Sequence, residues 1–117
     1  MADKPVILVE GFFAVVKLYD LGFPNVVATM GAELSVHQAK LLGDFPEVFI
    51  LFDGDEAGQT GATTARSRLA PSVTTRLIRL PPTIKPDDLP AKMLRWLVNG
   101  MHALDLAEVA FTPTKTP

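Results

Sequence analysis

The stretch that decides the fold reads Val48-Phe49-Ile50-Leu51-Phe52-Asp53-Gly54-Asp55-Glu56-Ala57-Gly58. It begins with five consecutive apolar residues, which is typical of a strand covered on both faces, as in a parallel sheet. Asp53 and Asp55 follow the carboxyl end of this strand, the edge at which open α/β sheets bind their ligands. Because two carboxylates one residue apart repel each other, and because Mg²⁺ prefers oxygen ligands, the pair predicts a cation site.

The rest of the chain alternates between apolar runs and helical patterns. Strands are predicted at 6–9, 25–29, 48–52 and 72–80, and helices at 12–21, 35–43, 56–69 and from Asp87 or Asp88 to Met101. This order predicts an α/β fold of three layers, α/β/α, with a four-stranded parallel sheet. If Glu10, which follows the first strand, shares a site with the two aspartates, strands one and three are neighbours. The strand order is then 2-1-3-4.

Local signals predict how two of the helices begin and pack. Ser35 and Gln38 have the spacing of a capping box. The inner face of the third helix is predicted to consist mostly of small residues, which let a helix lie close on a sheet: Ala57, Gly61, Ala62, Ala65 and Leu69. Gly58 and Gly61 predict a close backbone contact or ligand approach near the start of that helix.

Length and composition bound the functional classes. The 117 residues predict a single domain, which we expect at 1–110 with a flexible tail at 111–117. The absence of cysteine excludes disulfides, a zinc finger and thiol catalysis within this chain. Neither a signal peptide nor a membrane-length apolar run is visible, so we expect a cytoplasmic location. The net charge of −2 argues against tight unaided binding to nucleic acid.

Glu10, Asp53 and Asp55 follow two predicted buried strands and suggest a shared site for one or two Mg²⁺ ions. Two-metal sites hold their ions about 3.5–4 Å apart and stabilise both oxygens of a phosphoryl displacement. The structural alternative is that Asp53 and Asp55 occupy turn and helix-cap positions, where aspartate is favoured. Phosphoaspartyl phosphatases place an Asp-x-Asp turn after the first strand, whereas here the pair follows the third and no obvious lysine partner follows it. Receiver domains need a pair of acids on the first strand, where this chain has only Glu10.

Three motifs carry a resemblance to a known family: Val9-Glu10-Gly11-Phe12-Phe13, Ala28-Thr29-Met30-Gly31-Ala32-Glu33-Leu34-Ser35 and Phe52-Asp53-Gly54-Asp55-Glu56-Ala57-Gly58. Together they resemble the Toprim domain, and most closely the version in bacterial replicative primases and phage primase-helicases. The resemblance covers about residues 5–90 and implies the Rossmann-like Toprim fold. It also implies Mg²⁺-dependent nucleotidyl transfer or phosphodiester chemistry in primer synthesis during DNA replication.

The resemblance implies a role for each site residue. Glu10 is expected to act as general acid/base or metal ligand, and Asp53 and Asp55 are expected to bind Mg²⁺ or Mn²⁺, with Asp87 as a further candidate ligand. Gly31 is expected to let the backbone approach a phosphate. The implied partners are DNA or RNA, nucleotides, and a zinc-binding or helicase domain outside this sequence.

Two positions depart from the primase pattern. Ala14 stands where primases usually carry an acid, and Lys85-Pro86-Asp87 stands where they tend to carry Asp-Pro-Asp. One expected metal ligand is therefore missing and another is replaced by a cation, which leaves open whether the domain is an enzyme. The alternatives are a non-catalytic Toprim module that binds nucleic acid or a replication partner, and a Toprim nuclease. Lys85 could instead contact a phosphate, and Asp87 could cap a helix.

Four arginines allow two interpretations: Arg66, Arg68, Arg76 and Arg79. The first is that they are ordinary surface residues, solvated or in salt bridges. The second is a basic track beside the site, which would contact phosphates without reading the base sequence.

Overall fold

Strands and helices alternate over residues 4–31 and 33–96, the part of the chain that our computed structural model describes. The elements are β1 (Val6–Val9), α1 (Phe12–Asp20), β2 (Val26–Ala28), α2 (Val36–Leu42), β3 (Glu47–Leu51), α3 (Glu56–Leu69), β4 (Thr74–Ile78) and a 3₁₀ turn (Pro86–Asp88). Residues 91–96 are also helical. The predicted tail at 111–117 lies outside the described residues. None of the helices in the described part has the length and apolar content that a bilayer span needs.

The four strands of the described residues form one parallel sheet in the order β2-β1-β3-β4. This confirms the predicted strand order and the α/β class. In the register, Val9 pairs with Ala28 and Leu8 pairs with Ile50. Because the strands are parallel, the residues that follow them emerge at the same edge of the sheet, where the ligands of such folds bind.

The uninterrupted apolar runs of β1 and β3 follow from helices on both faces of the sheet. Successive residues of a strand face opposite sides. Ile7 belongs to a buried cluster with Leu18 of α1, whereas Leu8 belongs to a second cluster with Leu42 of α2 and Leu69 of α3. The sheet therefore lies between two helical layers, which confirms the predicted three-layer architecture.

Side-chain caps begin α2 and α3. Ser35 and Gln38 form the predicted capping box, in which each side-chain oxygen accepts a hydrogen bond of 3.0 Å from the other's backbone N. The inner face of α3 differs from the prediction, because Ala57 is exposed. The buried positions share one face at spacings of four and three: Gly58, Ala62, Ala65 and Leu69.

The last helix begins later than the sequence predicts. The prediction that Asp87 or Asp88 caps it is wrong. The Asp88 carboxylate instead accepts a hydrogen bond of 3.0 Å from the backbone N of Lys85 and closes the 3₁₀ turn. Leu89 is extended, with φ −77° and ψ 143°. This is the conformation that the following Pro90 favours, since proline disfavours helical backbone at the preceding residue.

Gly58 and Gly61 give a matched test of how closely α3 packs against the residues around it. A Cβ on Gly58 would lie 2.2 Å from the carbonyl O of Asp53, whereas a Cβ on Gly61 would meet the Phe52 ring at an ordinary 3.5 Å. We expect Gly58→Ala to lower the free energy of unfolding by about 1–3 kcal/mol, as overpacking does. Gly61→Ala should raise it by up to about 1 kcal/mol, because alanine favours the helix. Urea unfolding measures both, and equal effects would contradict the close approach at Gly58.

Candidate functional site

Four loops meet at the carboxyl edge of the sheet and line a cleft of 350 Å³. The loop after β1 supplies Glu10, the loop after β2 supplies Gly31, and the loop after β3 supplies Asp53. Lys85 and Asp87 come from the segment after β4. The structure therefore brings four strand ends to one place, as the strand order requires.

Glu10 ties the end of β1 to the end of β3. Its Oε1 accepts a hydrogen bond of 2.9 Å from the backbone N of Asp53. Burial raises the pKa of Glu10 above its ordinary value. The hydrogen bond from Asp53 lowers the pKa, and the charges of Asp53 and Asp55 raise it again, so that it stays raised. The ionised form of Glu10 is thus less favourable in the folded chain than in the unfolded one.

Asp53 is fixed through its backbone rather than through its side chain. The Nε2 of Gln59 donates a hydrogen bond of 2.9 Å to the carbonyl O of Asp53. No residue of the described part donates a hydrogen bond to the Asp53 carboxylate. Burial raises the pKa of Asp53, Lys85 lowers it, and the nearby carboxylates, Asp55 first among them, raise it.

The two raised pKa values mean that Glu10 and Asp53 destabilise the folded chain near neutral pH. The folded state holds protons at these groups more tightly than the unfolded state does. Stability is therefore lost as the pH rises from the ordinary values of 4.5 for Glu10 and 3.8 for Asp53 through the raised ones. Carboxylates that are retained at such a cost are typical of functional sites.

Asp55 has a structural role that the sequence offered as an alternative. Its Oδ1 accepts a hydrogen bond of 2.7 Å from the backbone N of Gly58, so Asp55 is the N-cap of α3. The side chain is exposed, and its charge raises the pKa of both Glu10 and Asp53. Because a carboxylate has two oxygens, capping with one leaves the other able to bind a cation.

The segment after β4 is packed directly on the Asp-Gly-Asp turn. The backbone N of Gly54 donates a hydrogen bond of 2.8 Å to the carbonyl O of Ile84. A Cβ on Gly54 would lie 1.8 Å from the carbonyl O of Pro81, so only glycine permits this approach. The contact holds Lys85 and Asp87 at the cleft. At the cleft, the charge of Asp87 raises the pKa of Asp53, whereas Asp88 closes the 3₁₀ turn.

Lys17 fastens the same segment to α1, a role that the sequence did not reveal. Its Nζ donates hydrogen bonds of 2.9 Å to the carbonyl O of Asp87 and 2.5 Å to that of Leu89. These acceptors lie about seventy positions further along the chain, and a backbone carbonyl leaves no side-chain signature. Only the fold identifies this contact.

The loop after β2 turns sharply beside Glu10. Met30 and Gly31 have positive φ angles of 57° and 83°, in the left-handed region that favours glycine. The backbone N of Met30 donates a hydrogen bond of 2.8 Å to the carbonyl O of Glu10. Gly31 and Glu10 also line a larger cleft of 540 Å³ between this loop and α3. Gly31 thus lies at the site, and its contact with a phosphate stays a prediction.

The donor atoms suit Mg²⁺ in their chemistry, since Glu10, Asp53 and Asp55 offer carboxylate oxygens. A cation would also neutralise the repulsion between Asp53 and its neighbours. Among residues 4–31 and 33–96, however, no three His, Asp or Glu side chains converge on one point that could hold a metal. The residues therefore fit one Mg²⁺ that takes one or two carboxylates and completes its shell with water and phosphate oxygens.

Arg68 and Arg76 each form an ion pair. Arg68 lies 2.9 Å from the carboxylate of Glu33 and donates a hydrogen bond of 2.7 Å to the carbonyl O of Leu34. Arg76 lies 2.6 Å from the carboxylate of Glu47, at the start of β3 and so at the opposite edge of the sheet from the cleft. These contacts favour the surface interpretation for both residues over a basic track.

Comparison with known proteins finds relatives for most of the chain. The model of the Toprim domain family matches residues 4–79. The chain is 38% identical over 104 residues to a DNA primase of Aquifex aeolicus, which is 84% of this chain and 21% of that protein. It is 42% identical over 70 residues to a DNA primase of Helicobacter pylori, or 58% of this chain and 12% of that protein. The chain thus spans about a fifth of the length of these relatives or less.

Solved structures with the same fold include primases. The zinc-binding and RNA polymerase domains of the Aquifex aeolicus primase give a TM-score of 0.73 at 36% identity, over 82% of this chain and 25% of that one. The DnaG primase catalytic domain bound to ssDNA gives 0.71 at 27% identity, over 86% and 33%. A small TOPRIM domain protein from Bacillus stearothermophilus gives 0.61 at 24% identity, over 86% and 88%, and shows the shared fold alone.

Removing the ammonium of Lys17 tests whether the segment after β4 is held from α1. We expect Lys17→Met to lower the free energy of unfolding by about 1–3 kcal/mol, because two backbone carbonyls lose a charged donor while the apolar part of the side chain is kept. Lys40→Met, at an exposed position in the last turn of α2, is the matched control and should change stability by less than about 0.5 kcal/mol. Similar values for the two variants in urea unfolding would contradict the role of Lys17.

Proposed function

Because this chain belongs to the Toprim domain family, we propose that its primase-type Toprim domain is the metal-binding part of a primer-synthesis enzyme. In this role it acts with Mg²⁺ or Mn²⁺ on the phosphates of nucleotides and nucleic acid. The observation that carries the proposal is the joined pair of Glu10 and Asp53, two partly buried acids with raised pKa values at the carboxyl edge of the sheet. Both charges cost the fold stability, whereas phosphoryl transfer can use them to bind a metal and to move a proton.

Asp53 and Asp55 would hold the metal ion. When bound, Mg²⁺ supplies positive charge to the phosphate oxygens on which negative charge develops. Asp53 offers a carboxylate without a protein donor in the described part of the chain, and Asp55 offers the oxygen that does not cap α3. Fixing the Asp53 backbone through Glu10 and Gln59 keeps these donors in place before substrate binds.

Glu10 would act as the general acid/base, or as a further ligand. Its Oε1 is occupied by the backbone N of Asp53, so Oε2 is the atom left to exchange a proton. That oxygen lies 3.9 Å from the position of a Cβ on Gly61, at the wall of the larger cleft. A raised pKa brings a carboxylate closer to the working pH and so improves general acid/base catalysis.

Lys85 and Ala14 change the charge of the smaller cleft. Ala14 is buried and offers no oxygen ligand, and Lys85 places an ammonium on the wall that Glu10 and Asp53 share. The charge of Lys85 lowers the pKa of both acids, so it acts on them across the cleft. We therefore propose a single metal ion in the cleft that Lys85 and Asp87 also line, where the ammonium would meet a substrate phosphate.

The remaining parts of such an enzyme would lie outside this sequence. The solved relative from Aquifex aeolicus contains zinc-binding and RNA polymerase domains, and another relative was solved bound to ssDNA. A net charge of −2 gives this chain little electrostatic attraction for a template. We propose that a zinc-binding or helicase domain supplies template binding, while this domain supplies the acids.

A second candidate is a non-catalytic Toprim module that binds nucleic acid or a replication partner. It is favoured by the lack of a three-ligand metal group among the described residues and by the ammonium of Lys85 in the cleft. A Toprim nuclease would use the same acids and differs only in its reaction. Primer-synthesis and nicking assays with Mn²⁺ distinguish these chemistries once metal binding is established.

Calorimetric titration with Mn²⁺ tests the metal site. We expect saturable binding to the wild type and a loss of at least about tenfold in affinity for Asp53→Asn and for Asp55→Asn, because each removes a charged ligand. Asparagine caps helices as well as aspartate does, so Asp55→Asn should leave α3 intact. Asp44→Asn, an exposed acid between α2 and β3, is the control and should bind like the wild type.

Two results would contradict the proposed metal site. One is the absence of saturable binding to the wild type, and the other is an unchanged affinity in Asp53→Asn. Binding of nucleic acid that is indifferent to metal and to Asp53→Asn would favour the non-catalytic module.

A further inference from the structure

Two exposed aromatic rings stand at the mouth of the smaller cleft. Phe12 and Phe13 begin α1 and are 58% and 74% exposed. Their centroids lie 6.0 Å apart with an interplanar angle of 65°, an edge-to-face arrangement. Single exposed apolar residues are common, but contiguous exposed apolar groups mark binding surfaces.

The fold does not need this pair. The buried residues of α1 are Ala14 and Leu18, which belong to the core cluster on that face of the sheet. Neither Phe12 nor Phe13 is a member of that cluster or of the other one. Their rings therefore contribute little to the stability of the domain, and another reason must account for them.

The pair shares its cleft with the charged groups of the site. Phe12, Phe13 and the exposed Met30 line the same cleft as Glu10, Asp53 and Lys85. A ligand that fills this cleft must combine a flat apolar part with a group that suits an ammonium and a metal-binding carboxylate. A nucleotide has this combination in its base and its phosphate.

We propose that Phe12 and Phe13 form a stacking surface for the nucleobases of a single strand. The phosphate of the same nucleotide would lie toward Asp53 and Lys85. Stacking on aromatic rings accepts any base, because every base has a π-face, so the surface would hold the strand without selecting its sequence. This inference rests on the proposed function, since it assigns the base side of the same substrate.

A protein partner is the competing occupant of this surface, and other residues of α1 provide a control that distinguishes it from a nucleic acid. The exposed apolar residues of α1 continue along the helix to Val16 and Tyr19, which are 45% and 63% exposed. These two residues do not line the cleft, whereas Phe12 and Phe13 do. Val16 and Tyr19 therefore provide a matched control on the same helix, exposed and apolar but away from the charged groups.

The test compares two labelled strands in the presence of Mg²⁺, an oligothymidylate and an abasic strand of the same length. Fluorescence anisotropy measures their affinity for the full 117-residue chain. We expect the wild type to bind the base-bearing strand roughly tenfold or more tightly than the abasic one, as base stacking on aromatic rings does elsewhere.

Phe12→Leu/Phe13→Leu should remove this preference and leave abasic binding unchanged. Val16→Ala/Tyr19→Leu should behave like the wild type. Phe13→Trp should keep base binding, and the bases should quench the fluorescence of the introduced indole.

Three results would overturn the inference. The first is an equal affinity of the wild type for both strands, which leaves metal-dependent phosphate binding and the proposed function intact. The second is that the double leucine variant keeps the preference for the base-bearing strand, or that the Val16/Tyr19 control loses this preference to the same extent. The third is self-association in sedimentation that disappears in the double leucine variant, which would assign the pair to a protein interface. Binding of neither strand by the wild type would also overturn the inference, whereas the proposed function is decided separately, by the Mn²⁺ titration of the wild type and Asp53→Asn.

Discussion

The hydrogen bond from the backbone N of Asp53 to Oε1 of Glu10 is the contact on which the site depends. It joins the ends of β1 and β3, which are neighbours only because the sheet has the order β2-β1-β3-β4. Two further contacts complete the arrangement. The close approach of Gly54 to Pro81 and the hydrogen bonds of Lys17 hold the segment after β4 against the same edge. Each contact crosses between elements, so the geometry of the acids is a property of the whole sheet.

This arrangement carries a cost that binding would recover. Burial and the charges of neighbouring carboxylates raise the pKa values of Glu10 and Asp53, and the ionised acids destabilise the folded chain at neutral pH. A cation bound at this edge would reverse that penalty, so that metal binding would stabilise the fold. The similarity to primases extends over the residues that form this edge, while Ala14 and Lys85 make its charge less negative than the primase pattern implies.

Most of the fold could be predicted from the sequence, because parallel strands with both faces covered leave continuous apolar runs. The strand order followed from requiring the acids of two strands to share one site. The predicted inner face of α3 wrongly included Ala57 and left out Gly58, because a run of small residues has no strong helical periodicity. The 3₁₀ turn and the late start of the last helix depend on Leu89 before Pro90. The role of Lys17 depends on backbone carbonyls distant in sequence, which no local pattern can reveal.

The most direct test of the central claim, that these strand ends form one cation site, is paramagnetic broadening of amide NMR signals by substoichiometric Mn²⁺. Broadening falls steeply with distance from the ion, so it locates the ion without any assumption about the reaction. If the strand ends form one cation site, we expect signals to disappear first at residues 10–14, 53–56 and 85–88, while the start of β3 near Glu47 keeps its signals. Broadening centred elsewhere, or uniform weak broadening over the surface, would contradict it.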